Sequence, residues 1–170
     1  MITLVLLFSP DPWDGPLSLH EMIDLPNKSL LSFVPDYKIH LIAPNAMSQE
    51  DFDKLHTSLR EVLLYIKHTK DKKVLHKILS TDTRFKTVDR TAAFTIRAVT
   101  GTGLHFEQKS EVVDMCQAVD EMIEDGIMEC IQNLMDSMSW TINQSMDALK
   151  IPEEKRAGLK EKIACNCNAT

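Results

Sequence analysis

The chain has 170 residues, of which 44% are hydrophobic and 26% charged, with only five glycines and seven prolines. This composition excludes disordered and fibrous proteins and fits one ordinary domain with a hydrophobic core. The formal net charge of −6 argues against a protein that coats nucleic acid. No apolar stretch approaches the roughly 20 residues of a membrane helix, and the start of the chain lacks the features of a signal peptide, so we expect a cytoplasmic protein.

Two apolar runs predict β-strands. Residues 2–8, ITLVLLF, are uncharged and stop at a cluster of turn residues, and residues 37–43 form the second run. Continuous apolar strands are typical of sheets that are covered on both faces. We therefore predict an α/β fold that holds the later strands of a larger sheet, followed by a mostly helical region.

The spacing of apolar residues predicts helices along most of the remaining chain. Ser48, with Asp51 three residues later, indicates the start of the clearest one. The predicted helices are 17–23, 49–68, 72–79, 84–99, 111–138, 142–150 and 153–163. We divide the chain into residual strands and loop at 1–45, a helical region at 46–138 and a variable helical tail at 139–170.

Charge is unevenly distributed along the chain. Residues 67–90 hold eight Lys or Arg against three Asp, a net charge of +5. Such a segment could contact the phosphates of DNA, although a solvated helix face has the same pattern. The predicted phosphate contacts are Lys67, Lys70, Lys72, Lys73, Lys77, Arg84 and Arg90.

The helix predicted at 111–138 carries a Met-rich apolar stripe. The segment 107–136 around this stripe has a net charge of −8. One interpretation is that the stripe packs on its own domain. The other is that it pairs with a partner helix or with a second copy of the chain as a homo-oligomer.

Motifs that resemble catalytic or metal sites are weak. Glu107-Gln108-Lys109, with Asp89 upstream, imitates the acid and Glu-x-Lys pattern of Mg²⁺-dependent nucleases, but Glu153-Glu154-Lys155 shows that such triplets also occur by chance. Cys165-Asn166-Cys167 supplies two thiolates where a closed zinc site takes four ligands. We predict no catalytic residue and no metal site.

The four cysteines do not form a disulfide pattern. Cys116 and Cys130 lie on the stripe of the long helix, where we interpret them as small core residues. Cys165 and Cys167 lie in a tail that we expect to fray. Four cysteines so unevenly spaced agree with a reducing compartment.

The helical tail offers a second way to contact DNA. Residues 148–152 could form the turn of a helix-turn-helix. The helix after this turn holds four cations, Lys155, Arg156, Lys160 and Lys162, but also three carboxylates, Glu153, Glu154 and Glu161. This mixed charge argues against a position in the major groove of DNA.

Several segments together resemble one known family. The most specific is PDPWDGPLSLHEM, and the others are PDYKIHLIAP, SLREVLLYIKHTKDKK, FKTVDRTAAFTIRAVTG and EVVDMCQAVDEMIEDG; ALKIPEEKR in the tail is also familiar. They resemble the C-terminal part of the PD-(D/E)XK nuclease family of putative transposases, the Rpn-like recombination-promoting nucleases. The resemblance implies a restriction-endonuclease-like core that binds Mg²⁺ and cuts DNA during recombination or transposition.

The resemblance does not extend to the catalytic motifs. In the family, the acidic residue and the Glu-x-Lys or Glu-x-Gln motif precede the strand that is here 2–8, and they have no matching positions in this chain. We therefore expect this portion alone to be inactive, with Mg²⁺ required only by the complete domain. Trp13, Asp14, Gly15 and Pro16 would form a turn after the strand, with a structural role favoured over substrate contact.

Overall fold

A computed structural model describes residues 2–106 and 110–167, with side chains up to residue 164. The fold is α/β and mostly helical, with eight α-helices and two small sheets among these residues. The chain divides into two compact units. The first takes in the described residues of Met1–Gly103 and Glu107–Cys116, and the second those of Leu104–Phe106 and Gln117–Thr170. The division of the sequence into segments 1–45, 46–138 and 139–170 stays a prediction.

The first sheet contains both predicted strands. β1 (Thr3–Leu6) and β2 (Ile39–Ile42) run parallel, and α1 (Leu19–Met22) and a 3-10 turn (Lys28–Phe33) lie between them in the chain. The expected coverage of both faces is not observed. Every β1 side chain is half-buried or exposed, and Leu4 is 63% exposed. A two-stranded sheet buries its faces only where helices or further strands pack against it.

The single helix predicted at 49–68 is wrong, because the structure has two. After a 3-10 turn (Pro44–Ala46), α2 (Gln49–Asp53) ends within two turns and α3 (Leu59–His68) follows. The residues between them include His56-Thr57-Ser58, whose side chains favour caps and turns over helix interiors. The amide of Arg60 donates to the carbonyl of Thr57 at 3.1 Å, which starts the new helix.

The predicted start of α2 is confirmed by a capping box. The Ser48 hydroxyl accepts from the Asp51 amide, and the Asp51 carboxylate accepts from the Ser48 hydroxyl and amide at 2.8 and 3.0 Å. These hydrogen bonds, aided by Lys54, lower the pKa of Asp51 to about 2.

Because of this capping box, we expect the free energy of unfolding of the first unit to decrease at acid pH. Since the folded pKa of Asp51 lies below its ordinary value of 3.8, its contribution is complete above pH 3.8 and is lost as the pH falls to about 2. Urea unfolding at several pH values should show this loss. The same series on Asp51→Asn should have a shallower slope between those pH values, and an unchanged slope would contradict the assignment.

Capping aspartates also displace the next predicted helix. α4 (Lys72–Thr81) matches its prediction, but the helix expected at 84–99 begins only at α5 (Arg90–Thr100). Asp82 caps a 3-10 turn (Thr83–Thr87), and Asp89 accepts from the amides of the first turn of α5. α5 ends as predicted, at Gly101, which has a φ of 64°.

A short antiparallel sheet was not predicted. β3 (Val88–Asp89) pairs with β4 (Val112–Val113), so the long helix expected at 111–138 begins later, as α6 (Met115–Met138). Two residues on each strand give no alternating pattern that sequence reasoning could detect.

The core of the first unit surrounds α3. Residues 60–66 are all buried, and α3 packs against α5. Tyr65, Phe85 and Ile96 are among the fully buried side chains. Burial raises the pKa of Tyr65, whose hydroxyl is hydrogen-bonded to Thr102.

The second unit has its own core, which supports the first interpretation of the Met-rich stripe. After α6 come α7 (Ile142–Ala148) and α8 (Glu153–Cys167). The core cluster holds Met128, Ile131, Met146, Ile151, Leu159 and Ile163, with Met135 partly buried against it. The stripe therefore packs on α7 and α8 within the same chain. Pairing through 111–138 stays a prediction.

Candidate nucleic-acid interface

The seven predicted phosphate contacts all lie in the first unit, from the end of α3 to the start of α5. The structure does not bring them together as one free basic surface. Four have partners within the chain, and three have none among the described residues.

The two cations near the end of α3 contact neighbouring loops. Lys67 Nζ donates to the carbonyl of Met47 at 2.5 Å and lies 5.4 Å from the centroid of the Phe52 ring. Lys70 Nζ pairs with Asp11 Oδ1 at 2.5 Å, where both side chains are largely exposed. A phosphate would have to compete with these partners.

The third cation belongs to a buried ion cluster. Arg84 Nε lies 2.8 Å from Glu61 Oε1, and the Glu61 side chain is only 4% exposed. The Arg84 guanidinium also donates to the carbonyls of Leu55 and Thr57, both at 3.4 Å. Arg84 therefore neutralises a buried carboxylate and adds little charge to the surface.

Arg60 completes this cluster. Its Nη1 lies 2.7 Å from Asp82 Oδ2 and 3.3 Å from Glu61 Oε1, and its side chain is 9% exposed. Burial alone would lower the pKa of Arg60, but the hydrogen bonds and charges of Asp82 and Glu61 offset this effect and raise it. We call Arg60, Glu61, Asp82 and Arg84 the buried ion cluster.

The buried ion cluster was not predicted from the sequence. The sequence did contain a signal, the charged pair Arg60-Glu61 within an otherwise apolar helix. The helical period places this pair on the same side of the helix as core residues. Buried charges of this kind are kept only where they are paired.

The fourth cation lies on an aromatic ring. The guanidinium of Arg90 is 5.4 Å from the centroid of Phe94, and that of Arg97, about two turns after Arg90, is 5.2 Å from the same centroid. Such contacts hold the two guanidinium groups against the ring but leave their charges intact.

Three lysines on α4 remain available. Lys72, Lys73 and Lys77 are exposed, and none of them has an ion pair or side-chain hydrogen bond to the described residues. Leu75 and Leu79 bury the side of α4 opposite Lys73 and Lys77, while Lys72 lies at the first turn on the side of the leucines. At 3.6 residues per turn, Lys73 and Lys77 each lie about 200° around the helix from one of these leucines. The backbone positions of the two lysines are about 6 Å apart, because they are separated by one helical turn.

The amino-terminal end of α4 is already capped. Asp71 Oδ1 accepts from the amides of Lys73 and Val74, both at 3.1 Å. Any anion at this helix would therefore bind the lysine side chains and not the helix terminus. We call Lys72, Lys73 and Lys77 the α4 lysine surface.

His68, near the α4 lysine surface in the chain, adds no positive charge at neutral pH. Burial and the nearby Lys67 lower the pKa of His68 below its ordinary value of 6.5. The imidazole is therefore neutral at pH 7.

The predicted turn after the first strand contains a close contact. A Cβ placed on Gly15 would lie 2.8 Å from Cζ2 of the Trp13 ring, so a larger residue at position 15 would have to displace this indole. Trp13 is 40% exposed, and neighbouring Asp11 forms the ion pair with Lys70. The structural and substrate-contact roles of Trp13, Asp14, Gly15 and Pro16 both stay predictions.

The remaining candidates from the sequence add no site. Glu107-Gln108-Lys109 lies outside the described residues, as do the side chains of Cys165 and Cys167. Cys116 is half-buried, but the prediction of a core position is wrong for Cys130, which is exposed and lines an open groove between α6 and the turn that joins α7 to α8.

No metal-ligand group is found in the part of the chain that the structure describes: there, no three His, Cys, Asp or Glu side chains lie together as a possible site. The Mg²⁺ expected for the complete family domain has no ligand set among these residues, and we derive no chemical step through it.

Comparison with protein-family models, curated proteins and solved structures finds no match for this chain. Among the described residues, none of the helices is both long enough and apolar enough to span a bilayer.

Proposed function

We propose that this chain is a non-catalytic portion of a restriction-endonuclease-like domain, from a DNA endonuclease of the recombination or transposition type. Its part would be to contact the DNA backbone through the α4 lysine surface. The observation that carries this proposal is that Lys72, Lys73 and Lys77 are exposed and unpaired with any described residue, in a chain with excess carboxylates.

The sheet supports the proposed fold. β1 is an apolar strand that pairs with β2 on one side, and none of the described residues pairs with its other side, as would hold for a strand inside a larger sheet whose other neighbour is absent. The nuclease-like core of the resemblance has further strands before this one. The chain as described would then hold the end of that sheet and the helices that follow it in the chain.

The alternative DNA-binding surface, on α8, has fewer cations without a described partner than the α4 lysine surface has. Arg156 Nη1 lies 2.5 Å from Asp147 Oδ1, and Lys162 pairs with Glu124. Only Lys155 and Lys160 of the four predicted cations remain without a described partner. We therefore place the backbone contact on α4.

The expected behaviour is weak, salt-dependent binding of duplex DNA without cleavage. Three phosphate contacts correspond to a slope of about −2.7 in a plot of log K against log salt concentration. In the double variant Lys73→Ala/Lys77→Ala the slope should become less steep, about −0.9, and binding at low salt should be at least about tenfold weaker. Fluorescence anisotropy with a labelled duplex measures both quantities.

The matched control is Lys155→Ala/Lys160→Ala, which removes the same charge from α8. We expect this variant to bind duplex DNA like the unaltered chain. If it weakens binding as much as the α4 variant does, the contact is not on α4. Nicking of plasmid DNA by the purified chain with Mg²⁺ would contradict the non-catalytic assignment.

A further inference from the structure

A groove in the second unit combines apolar walls with two lysines. It has a volume of about 430 Å³ and lies between α6 and the turn that joins α7 to α8. Its apolar lining includes Ile123 and Ile127 from α6 and Leu149 and Pro152 from the turn. Grooves of this volume are the size of a single small ligand.

A glycine in the middle of α6 lines this groove. Glycine in a helix interior destabilises the helix relative to alanine. A Cβ placed on Gly126 would meet no atom within 4 Å, so packing does not require glycine there. An open groove gives a reason for it, because any side chain at this position would enter the space.

A second unfavourable residue lies at the same groove. Lys150 has a φ of 54°, in the left-handed region where glycine is normally found. It follows α7 in a Schellman motif, in which Ile151 N donates to Met146 O and Lys150 N donates to Asp147 O. Glycine would adopt this left-handed conformation more readily, so the backbone conformation does not explain why position 150 is a lysine.

Residues that are unfavourable for their local backbone conformation are often found at functional sites. Gly126 and Lys150 line the same groove, together with Lys155. Neither lysine has an ion-pair partner within residues 2–106 and 110–164. The groove therefore presents apolar walls with two uncompensated positive charges.

We propose that this groove binds a small amphiphilic anion, with an apolar body against α6 and a carboxylate headgroup between Lys150 and Lys155. Such a ligand satisfies both features at once, because its body removes apolar walls from water and its headgroup pairs with the free ammonium groups. The proposal does not depend on DNA binding.

Decanoate, below its micelle concentration, is a suitable probe. In a chain with labelled isoleucine methyl groups, it should shift the NMR signals of Ile123, Ile127 and Ile151 saturably. The signal of Ile96, buried in the first unit, should stay unchanged. Absence of saturation, or equal shifts at Ile96, would overturn the proposal.

Two variants separate binding from folding, because each should bind more weakly while remaining folded. Gly126→Leu fills the groove and should raise the dissociation constant of decanoate at least about tenfold, with no loss of Tm since leucine is the better helix former. Lys150→Gly relieves the left-handed position, so its Tm should rise, yet its affinity for decanoate should fall about fivefold or more.

Two controls complete the test. Lys160→Ala removes an equal charge from α8 outside the groove and should leave decanoate affinity unchanged. Uncharged 1-decanol should bind the unaltered chain and Lys150→Gly equally well. If Gly126→Leu binds decanoate normally, or if Lys160→Ala weakens it as much as Lys150→Gly does, the groove is not the site.

Discussion

Replacing Glu61 by alanine should lower the free energy of unfolding of the first unit by about 3–5 kcal/mol. The Glu61 carboxylate is 4% exposed and lies 3.3 Å from Arg60 and 2.8 Å from Arg84. Removing it leaves the buried Arg60 guanidinium with two partners among the described residues, Asp82 at 2.7 Å and the exposed Asp53 at 3.7 Å. Urea unfolding followed by Trp13 fluorescence, in a Trp140→Phe background, reports on this unit.

Asp53→Ala provides the matched control. Asp53 Oδ1 lies 3.7 Å from Arg60, but its side chain is 59% exposed, so its removal should cost less than about 1 kcal/mol. A second test replaces Arg60, Glu61 and Arg84 with apolar residues and Asp82 with asparagine, which can still cap the backbone amide at position 84; this variant should cost less than Glu61→Ala alone because no unpaired charge remains. Equal effects of Glu61→Ala and Asp53→Ala would show that the buried ion cluster is not a unit.

The buried ion cluster also shows what a sequence can say about a basic surface. The segment 67–90 was correctly recognised as rich in cations, yet its charge count does not tell which of them are already paired. Lys70 pairs with Asp11, 59 residues earlier, and Arg84 with Glu61, 23 residues earlier. Those partners are set by tertiary structure, so the α4 lysine surface could be identified only once the fold was known.

The fold was predictable where one element carries its own signal. The two apolar strands, α4 and the capping box at Ser48 all follow from local composition and spacing. The break between α2 and α3 was missed because the apolar period continues through it. The β3–β4 pair was missed because it joins two-residue segments more than twenty residues apart.

One edge of β1 has no pairing strand among the described residues. The amide of Leu7 donates to the carbonyl of Ile42 at 2.9 Å, so it points toward β2. Backbone groups of successive strand residues point to opposite edges. Val5 therefore bonds to β2, while the amides of Leu4 and Leu6 point to the other edge, where the structure describes no pairing strand.

Proline should distinguish the two edges, because it removes the backbone N–H at a single residue. Val5→Pro removes a hydrogen bond of the sheet and leaves an acceptor on β2 unpaired, so the first unit should lose about 1–3 kcal/mol more than with Leu4→Pro. Leu4→Pro removes only an edge amide, a position where proline is tolerated. Urea unfolding of both variants gives the comparison.

Equal losses in the two variants would mean that the amide of Leu4 is already hydrogen-bonded, and the edge would not be open. A larger loss with Val5→Pro would establish an unpaired apolar edge, which is a template for another strand. The proposed nuclease-like core needs that open edge, since its sheet would continue beyond β1. The comparison therefore tests the architectural part of the proposed function separately from DNA binding.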